Sequence, residues 1–306
     1  MSLNQSRSCP LCCSKAAGIT FPYATQFNNI RFTYLKCNGC ASVFVDPVPD
    51  SQTFALMYTK ANYHDSHYDG KVGVAYTESA QLLKKYLHTG ALVLDYGCGV
   101  GGFLKALGKE EFIPYGVEFD KEAANFAGQN AGCKVMSVDD FMAQPEKPNF
   151  DAIHLGDVLE HLPNPAGTLK ELLGYLKPGG ILFVEGPLEI NASPVYWTAR
   201  MFGAIKSSVW PNFTASHAPT HLFRTDAAEQ FAFFTRVEPC LDLKSWNIYE
   251  TGWPYASGGM VKRAISALAV FLSSSPFLGK TFGNRFCGIF TYRESAGALV
   301  RSNAAR

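Results

Sequence analysis

Between Ala91 and Glu185 short apolar runs alternate with amphipathic stretches. The runs are Ala91 to Leu94, Tyr115 to Glu118, Lys134 to Val138, Phe150 to Leu155 and Ile181 to Glu185. Runs of that length read as buried strands, and the 3.6-residue periodicity between them reads as helices. Strand–helix repetition implies an α/β fold: a parallel sheet with right-handed crossovers and a ligand across the carboxyl ends of its strands. Before this block, Ser51 to Tyr58 reads as a short helix, residues 61–71 as a loop, and Val74 to Leu87 as a helix with Ala75, Ala80, Leu83 and Leu87 on one stripe. Asn164-Pro165 starts a helix ending at Lys177, and Thr225-Asp226 caps another reaching about Phe234. Val237 to Ile248 and Phe286 to Arg293 read as further strands.

Two stretches break the rhythm. Asn191 to Ala218 reads as irregular, with Tyr196, Trp197, Trp210, Pro211 and Phe213. A long aromatic segment inside an α/β domain suggests a lid or a substrate wall, or aromatics filling gaps beneath a loop. Val261 to Leu278 is apolar, headed by Lys262 and Arg263 and broken at Ser273 to Pro276. It is too short to span a bilayer and reads as a helix over the pocket, with an interfacial helix as the alternative.

Gly97, Gly99, Gly101 and Gly102 fill four of six positions between the strand ending at Asp95 and the helix beginning near Phe103. A strand-to-helix turn this rich in glycine lets the backbone approach a ligand, with free helix N–H groups pointing at it. Gly97, Gly99 and Gly102 satisfy the dinucleotide pattern G-x-G-x-x-G; Asp95, Gly97, Gly99 and Gly101 equally satisfy D-x-G-x-G-x-G. Glu118, about 20 residues on, suits a ribose diol under either reading.

The D-x-G-x-G-x-G turn resembles the first motif of the class I S-adenosylmethionine-dependent methyltransferases. Lys134 to Phe141, Phe150 to Leu162 and Leu176 to Glu185 resemble that family's later motifs, in order, within residues 80–190. The resemblance implies a doubly wound, mostly parallel seven-stranded sheet whose last strand, Phe286 to Arg293, is antiparallel. It implies a cofactor site of Asp95, Gly97, Cys98, Gly99, Glu118, Phe119, Asp139, Asp140, Gly156 and Asp157, binding S-adenosylmethionine. The glycine turn would lie under the methionine moiety, Glu118 on the ribose, and the acid after the third strand on the adenine amino group.

Length and charge narrow the picture. The chain has 306 residues, 47% of them hydrophobic, room for a full α/β domain and a small accessory one. A formal net charge of +1 argues against broad attraction to nucleic acid. No N-terminal apolar core and no run of 18 apolar residues is present, so a cytoplasmic location is expected. Of nine cysteines, Cys98, Cys133, Cys240 and Cys287 read as small packing residues. Cys9 and Cys12, then 24 residues, then Cys37 and Cys40 form paired C-x2-C turns; Cys13 reads as a spare. That pattern resembles a zinc ribbon, a structural site because four thiolates leave no open position. The expected domains are a ribbon at 1–48, a linker helix and loop at 49–74, the α/β domain at 75–294 with insertions near 191–220 and 255–284, and a disordered tail at 295–306. Chelation is expected to disorder residues 1–45 and spare cofactor binding.

Methyl transfer to a hydroxyl or carbon acid needs a base. His161, in Asp157-Val-Leu-Glu160-His161, is one candidate; Asp157, Glu160 and His161 also resemble the E-x-x-E-H magnesium ligands of some class I members. His221 is the other, resembling the base in the Y-H-E-H string of the sugar C-methyltransferases, with Ala218 and Thr220 replacing its tyrosine and glutamate. Those enzymes share the order ribbon, linker helix, core. Aromatic Tyr63 and Tyr68 could cover the pocket or pack between domains. The expected substrate is a small-molecule, sugar or lipid-linked biosynthetic intermediate, with peripheral membrane contact left open. An NAD(P)-dependent oxidoreductase and a non-catalytic binding module are the alternatives.

Overall fold

The computed structural model describes residues 8–58, 74–146, 148–210, 214–274 and 281–293. Tyr63, Tyr68, Pro211, Phe213 and the tail from 295 lie outside the described residues. The first unit is antiparallel: β1 (Ala16–Phe27), β2 (Ile30–Cys37) and β3 (Val43–Asp46). Asn28 and Asn29 join β1 to β2 with φ of 47° and 60°, the left-handed pair that a two-residue hairpin turn requires. The short helix α1 (Ser51–Met57) follows, capped by the Asp50 carboxylate accepting from Thr53 N at 2.7 Å.

The second unit starts with α2 (Val74–Leu83), β4 (Leu92–Tyr96), α3 (Gly102–Lys109), β5 (Ile113–Glu118) and α4 (Lys121–Ala131). It continues with β6 (Lys134–Ser137), α5 (Val138–Met142), β7 (Phe150–Gly156), α6 (Pro165–Leu173) and β8 (Leu176–Pro187). Then come α7 (Pro194–Val209), β9 (Ala215–Ser216), β10 (Phe223–Arg224), α8 (Ala227–Val237), β11 (Leu241–Tyr249), α9 (Met260–Ser273) and β12 (Arg285–Tyr292). The main sheet runs β6-β5-β4-β7-β8-β12-β11, parallel from β6 to β8, with β12 antiparallel to both neighbours. This is the expected seven-stranded fold. Strand order reverses between β4 and β7, so the crevice beyond their carboxyl ends is where such a sheet binds a ligand.

Both faces of the central strands β4, β7 and β8 are buried, which is why they carry apolar runs. Val93, Ala152 and Phe183 pack on Leu83, Phe103 and Leu107 of α2 and α3. Leu94, Ile153 and Leu182 pack opposite, with Leu172 of α6 and Phe233 and Phe234 of α8. Burying each such Leu or Phe contributes about 1.5–3 kcal/mol.

Several features depart from the sequence reading; α6 ends at Leu173, and Lys177, read as its end, already lies in β8. Residues 194–209 are helical, not irregular: Ser193 caps α7 by accepting from Val195 N and Tyr196 N, and Pro194 sits in the first turn. The N-terminal sheet also recruits the later chain. β9 pairs with β1 and β10 with β3, giving a five-stranded sheet in the order β10-β3-β2-β1-β9. Cys9, Leu11, Leu35, Cys37 and Phe44 share a core cluster with the main domain.

Candidate active site

The turn after β4 owes its shape to glycine. Gly97, Gly99 and Gly101 have φ of 82°, 54° and 81°. A Cβ on Gly97 would sit 2.4 Å from Val158 Cγ2, and one on Gly101 2.9 Å from the Ala127 carbonyl. Glu118, at the end of β5, accepts from Gly99 N and from Phe119 N, each at 2.7 Å. The carboxylate expected to hold a ribose therefore lies against the turn expected to hold the methionine. Asp139 and Asp140 are exposed beyond β6, where Ser137 pairs with Glu118 in register. Ser137 Oγ caps α5 by accepting from Asp140 N at 3.1 Å and itself donates to Asp140 Oδ2 at 2.6 Å; the strand stops at Ser137, one residue earlier than the sequence suggests.

Beneath the turn lies a charged group of which the sequence singled out only Asp95. Asp95 is 3% exposed and faces His154 Nδ1 at 2.8 Å; Glu185 lies 3.3 Å from Nε2 and accepts from Ser79 Oγ at 3.0 Å. Burial alone would depress the imidazole pKa, but hydrogen bonds to Asp95 and Glu185 lift it to about 9. Asp95 and His154 are register partners on β4 and β7, and Gly156 faces Glu185 across β7 and β8.

The two candidate bases come together. His161, in the 3-10 turn Leu159–His161 after β7, and His221, before β10, have ring centroids 4.8 Å apart. His221 Nδ1 lies 2.8 Å from Glu189 Oε2 just beyond β8, and Arg224 Nε lies 3.4 Å from the same oxygen. Burial opposes ionisation of Glu189, but Arg224 and His221 outweigh it and hold the carboxyl at about 2. Burial pulls His221 down, and the Glu189 carboxylate more than offsets it, leaving the imidazole raised. His161 goes the other way: burial, then the His221 charge, lower it to about 3. Its Nδ1 donates to the Thr220 carbonyl at 2.6 Å and lies 3.0 Å from Tyr58 Oη. Glu160, 6% exposed, is pushed up to about 8 by burial and by Asp157, and its Oε1 has no hydrogen-bond partner among the described residues.

The other predicted residues are placed differently. Asp157 has φ of 53° and both its oxygens lie 2.8 Å from Arg285 Nη2 of β12, so this carboxylate is committed to a cation two strands along the sheet from β7. Phe119, half exposed, meets Phe54 of α1 edge-on with centroids 5.2 Å apart. One turn further on, Tyr58 reaches His161, so α1 bridges from the end of β5 to the end of β7. Neither Tyr58 nor Glu189 was anticipated.

Cys9, Cys12, Cys37 and Cys40 converge, their Sγ atoms all within 4.8 Å of one another. The Cys9–Cys40 and Cys12–Cys37 separations are 3.7 and 3.4 Å. A tetrahedral zinc with 2.3 Å bonds to sulfur has ligand edges of about 3.8 Å, so the set fits that ion. Backbone N–H groups of Leu11 and Gly39 point at Cys9 Sγ (3.4 Å) and Cys37 Sγ (3.3 Å), favouring thiolate.

Fold and site together have the form of the α/β methyltransferase fold, and comparison with known proteins points the same way. Residues 68–202, less than half of the chain, match the family model described as a methyltransferase domain. It is 32% identical over 109 residues to a ubiquinone biosynthesis O-methyltransferase from Xylella fastidiosa, covering 33% of this chain and 44% of that one. It is 35% identical over 99 residues to cycloartenol-C-24-methyltransferase 1 from Oryza sativa, covering 29% and 28%. The chain thus spans less than half the length of these curated relatives. The [4+2]-cyclase SpnF shares the fold with a TM-score of 0.52 at 18% identity, over 81% of this chain and 99% of that one.

Proposed function

We propose that the protein transfers a methyl group from S-adenosylmethionine to a small-molecule, sugar or lipid-linked biosynthetic intermediate. The observation that carries the reading is the glycine turn bonded to Glu118 inside a matched methyltransferase domain. The relatives' names, a ubiquinone-pathway O-methyltransferase and a sterol-type C-24 methyltransferase, favour a metabolite acceptor over a macromolecule.

The donor supplies an activated electrophile, so the protein has to align the acceptor, exclude water and remove a proton. His221 suits the last task. With Nδ1–H given to Glu189, a neutral His221 presents the Nε2 lone pair as base, and the carboxylate stabilises the imidazolium that forms. His161, held near 3, is a weak base and instead fixes the Thr220 carbonyl next to His221. Asp95, Gly97, Cys98 and Gly99 would lie under the methionine, Glu118 and Phe119 at the ribose, and Asp139 or Asp140 at the adenine. Zinc on Cys9, Cys12, Cys37 and Cys40 would hold the N-terminal sheet in shape.

Methyl-labelled donor tests this. Wild-type protein retains label in equilibrium dialysis; His221→Ala retains it equally but transfers none to acceptor. A variant with undiminished turnover would remove His221 from the chemistry.

One observation supports a second reading. Ligand atoms of Glu160, His161 and His221 all lie within 4.8 Å of one another, and Glu160 Oε1 is an unpartnered carboxylate oxygen among the described residues. A divalent cation there would acidify an acceptor hydroxyl. His221, not the Arg285-bound Asp157, would complete the set. Activity lost on chelation and restored by magnesium or manganese with the ribbon zinc intact would favour this reading.

A further inference from the structure

Helices α7 and α9 pack side by side and are built inside out. In α9 the buried residues are Ser266 and Ala269, while Met260 (87% exposed), Val261, Leu268 and Phe271 (73% exposed) face outward. In α7 only Val195 is buried, while Trp197, Met201, Ile205 and Val209 recur every fourth residue on an exposed stripe with Phe202 beside it. Water favours the opposite arrangement, and an apolar face of this size on a folded chain marks a surface that something covers.

Charge says what covers it. The two helices carry Arg200, Lys206, Lys262 and Arg263 and not one Asp or Glu. A cavity of about 420 Å³ beside α7 is lined by Arg31 and Lys206 with Phe21, Tyr23 and Trp210, again without an acid. Trp197, Trp210 and Trp253 are all more than half exposed, the residue type that settles at a bilayer's headgroup level. No described helix is long and apolar enough to cross a membrane. We infer that α7 and α9 form a docking face for the surface of an anionic phospholipid bilayer, into which their apolar side chains dip while the four cations meet headgroup phosphates. Joined to the proposed methyl transfer, this narrows the acceptor to a molecule carried in or on a membrane.

The test uses zinc-loaded full-length protein without methyl donor, so its failure is separate from failure of donor binding. The protein should float with vesicles of phosphatidylcholine containing 30% phosphatidylglycerol, and tryptophan emission should shift to the blue. Each cation near such a surface is worth about five-fold in affinity, so Lys262→Ala with Arg263→Ala should weaken binding on the order of 25-fold. Met201→Glu with Phe271→Glu should abolish binding while leaving S-adenosylhomocysteine affinity unchanged. Absence of wild-type protein from floated vesicles overturns the inference. So does a wild-type dimer in sedimentation that Met201→Glu with Phe271→Glu converts to monomer, because the face then covers a second copy.

Discussion

The His154 site makes the most quantitative prediction. Its imidazole is held between Asp95 and Glu185, with a pKa raised from 6.5 to about 9. At 1.36 kcal/mol per unit, that rise corresponds to about 3 kcal/mol of stability. The folded state binds the proton more tightly, so the contribution is complete below pH 6.5 and disappears as pH climbs through 9. Urea unfolding of the wild type at pH 6.5, 7.5 and 9 should show stability falling by up to about 1.4 kcal/mol per pH unit from this group. Glu160, pushed by burial to about 8, adds its own loss between pH 4.5 and 8, because the folded state holds the proton that the unfolded state has released. The diagnostic quantity is therefore the difference from His154→Gln. That variant should be about 3–5 kcal/mol less stable at pH 6.5, since a buried carboxylate loses its counter-charge, and should lack the His154 share of the pH slope. Identical slopes in wild type and variant would refute the charged state assigned to this residue.

Three further outcomes follow from the same geometry. The Glu189 carboxylate raises the His221 pKa, so Glu189→Gln should move the rising limb of the pH–rate profile to lower pH; an unmoved limb would mean that His221 does not titrate in turnover. Gly99→Asp places a carboxylate beside Glu118 at a left-handed position and should abolish S-adenosylhomocysteine binding in calorimetry, whereas wild-type affinity would displace the pocket from this turn. Zinc removal should reach further than residues 1–45: β10 pairs with β3, and Leu222 N donates to the Glu160 carbonyl, so chelation should impair turnover while donor binding persists. Proton-exchange mapping that showed Thr220 to Arg224 unaffected by chelation would contradict that coupling.

Strands β4, β5, β7 and β8 were legible because a sheet covered on both faces demands unbroken apolar runs. The four cysteines were legible because their spacing leaves few other uses. Helix α7 was hidden by its own surface: Trp197, Phe202 and Val209 face out, so its apolar stripe marks no core, and only Ser193-Pro194 announced it. His154 looked unremarkable in a strand, because its partners are 59 and 31 residues away and meet it only across the sheet register. Glu189 and Tyr58 were invisible for the same reason. His161 and His221 were named singly; their contact depends on how the chain between β8 and β10 returns to the ribbon.

Isothermal calorimetry of the zinc-loaded full-length chain with S-adenosylhomocysteine addresses the central claim most directly. One site per chain, lost in Glu118→Leu and kept in His221→Ala, is the result the account predicts. Heat from NAD, with none from S-adenosylmethionine or its spent form, would contradict it.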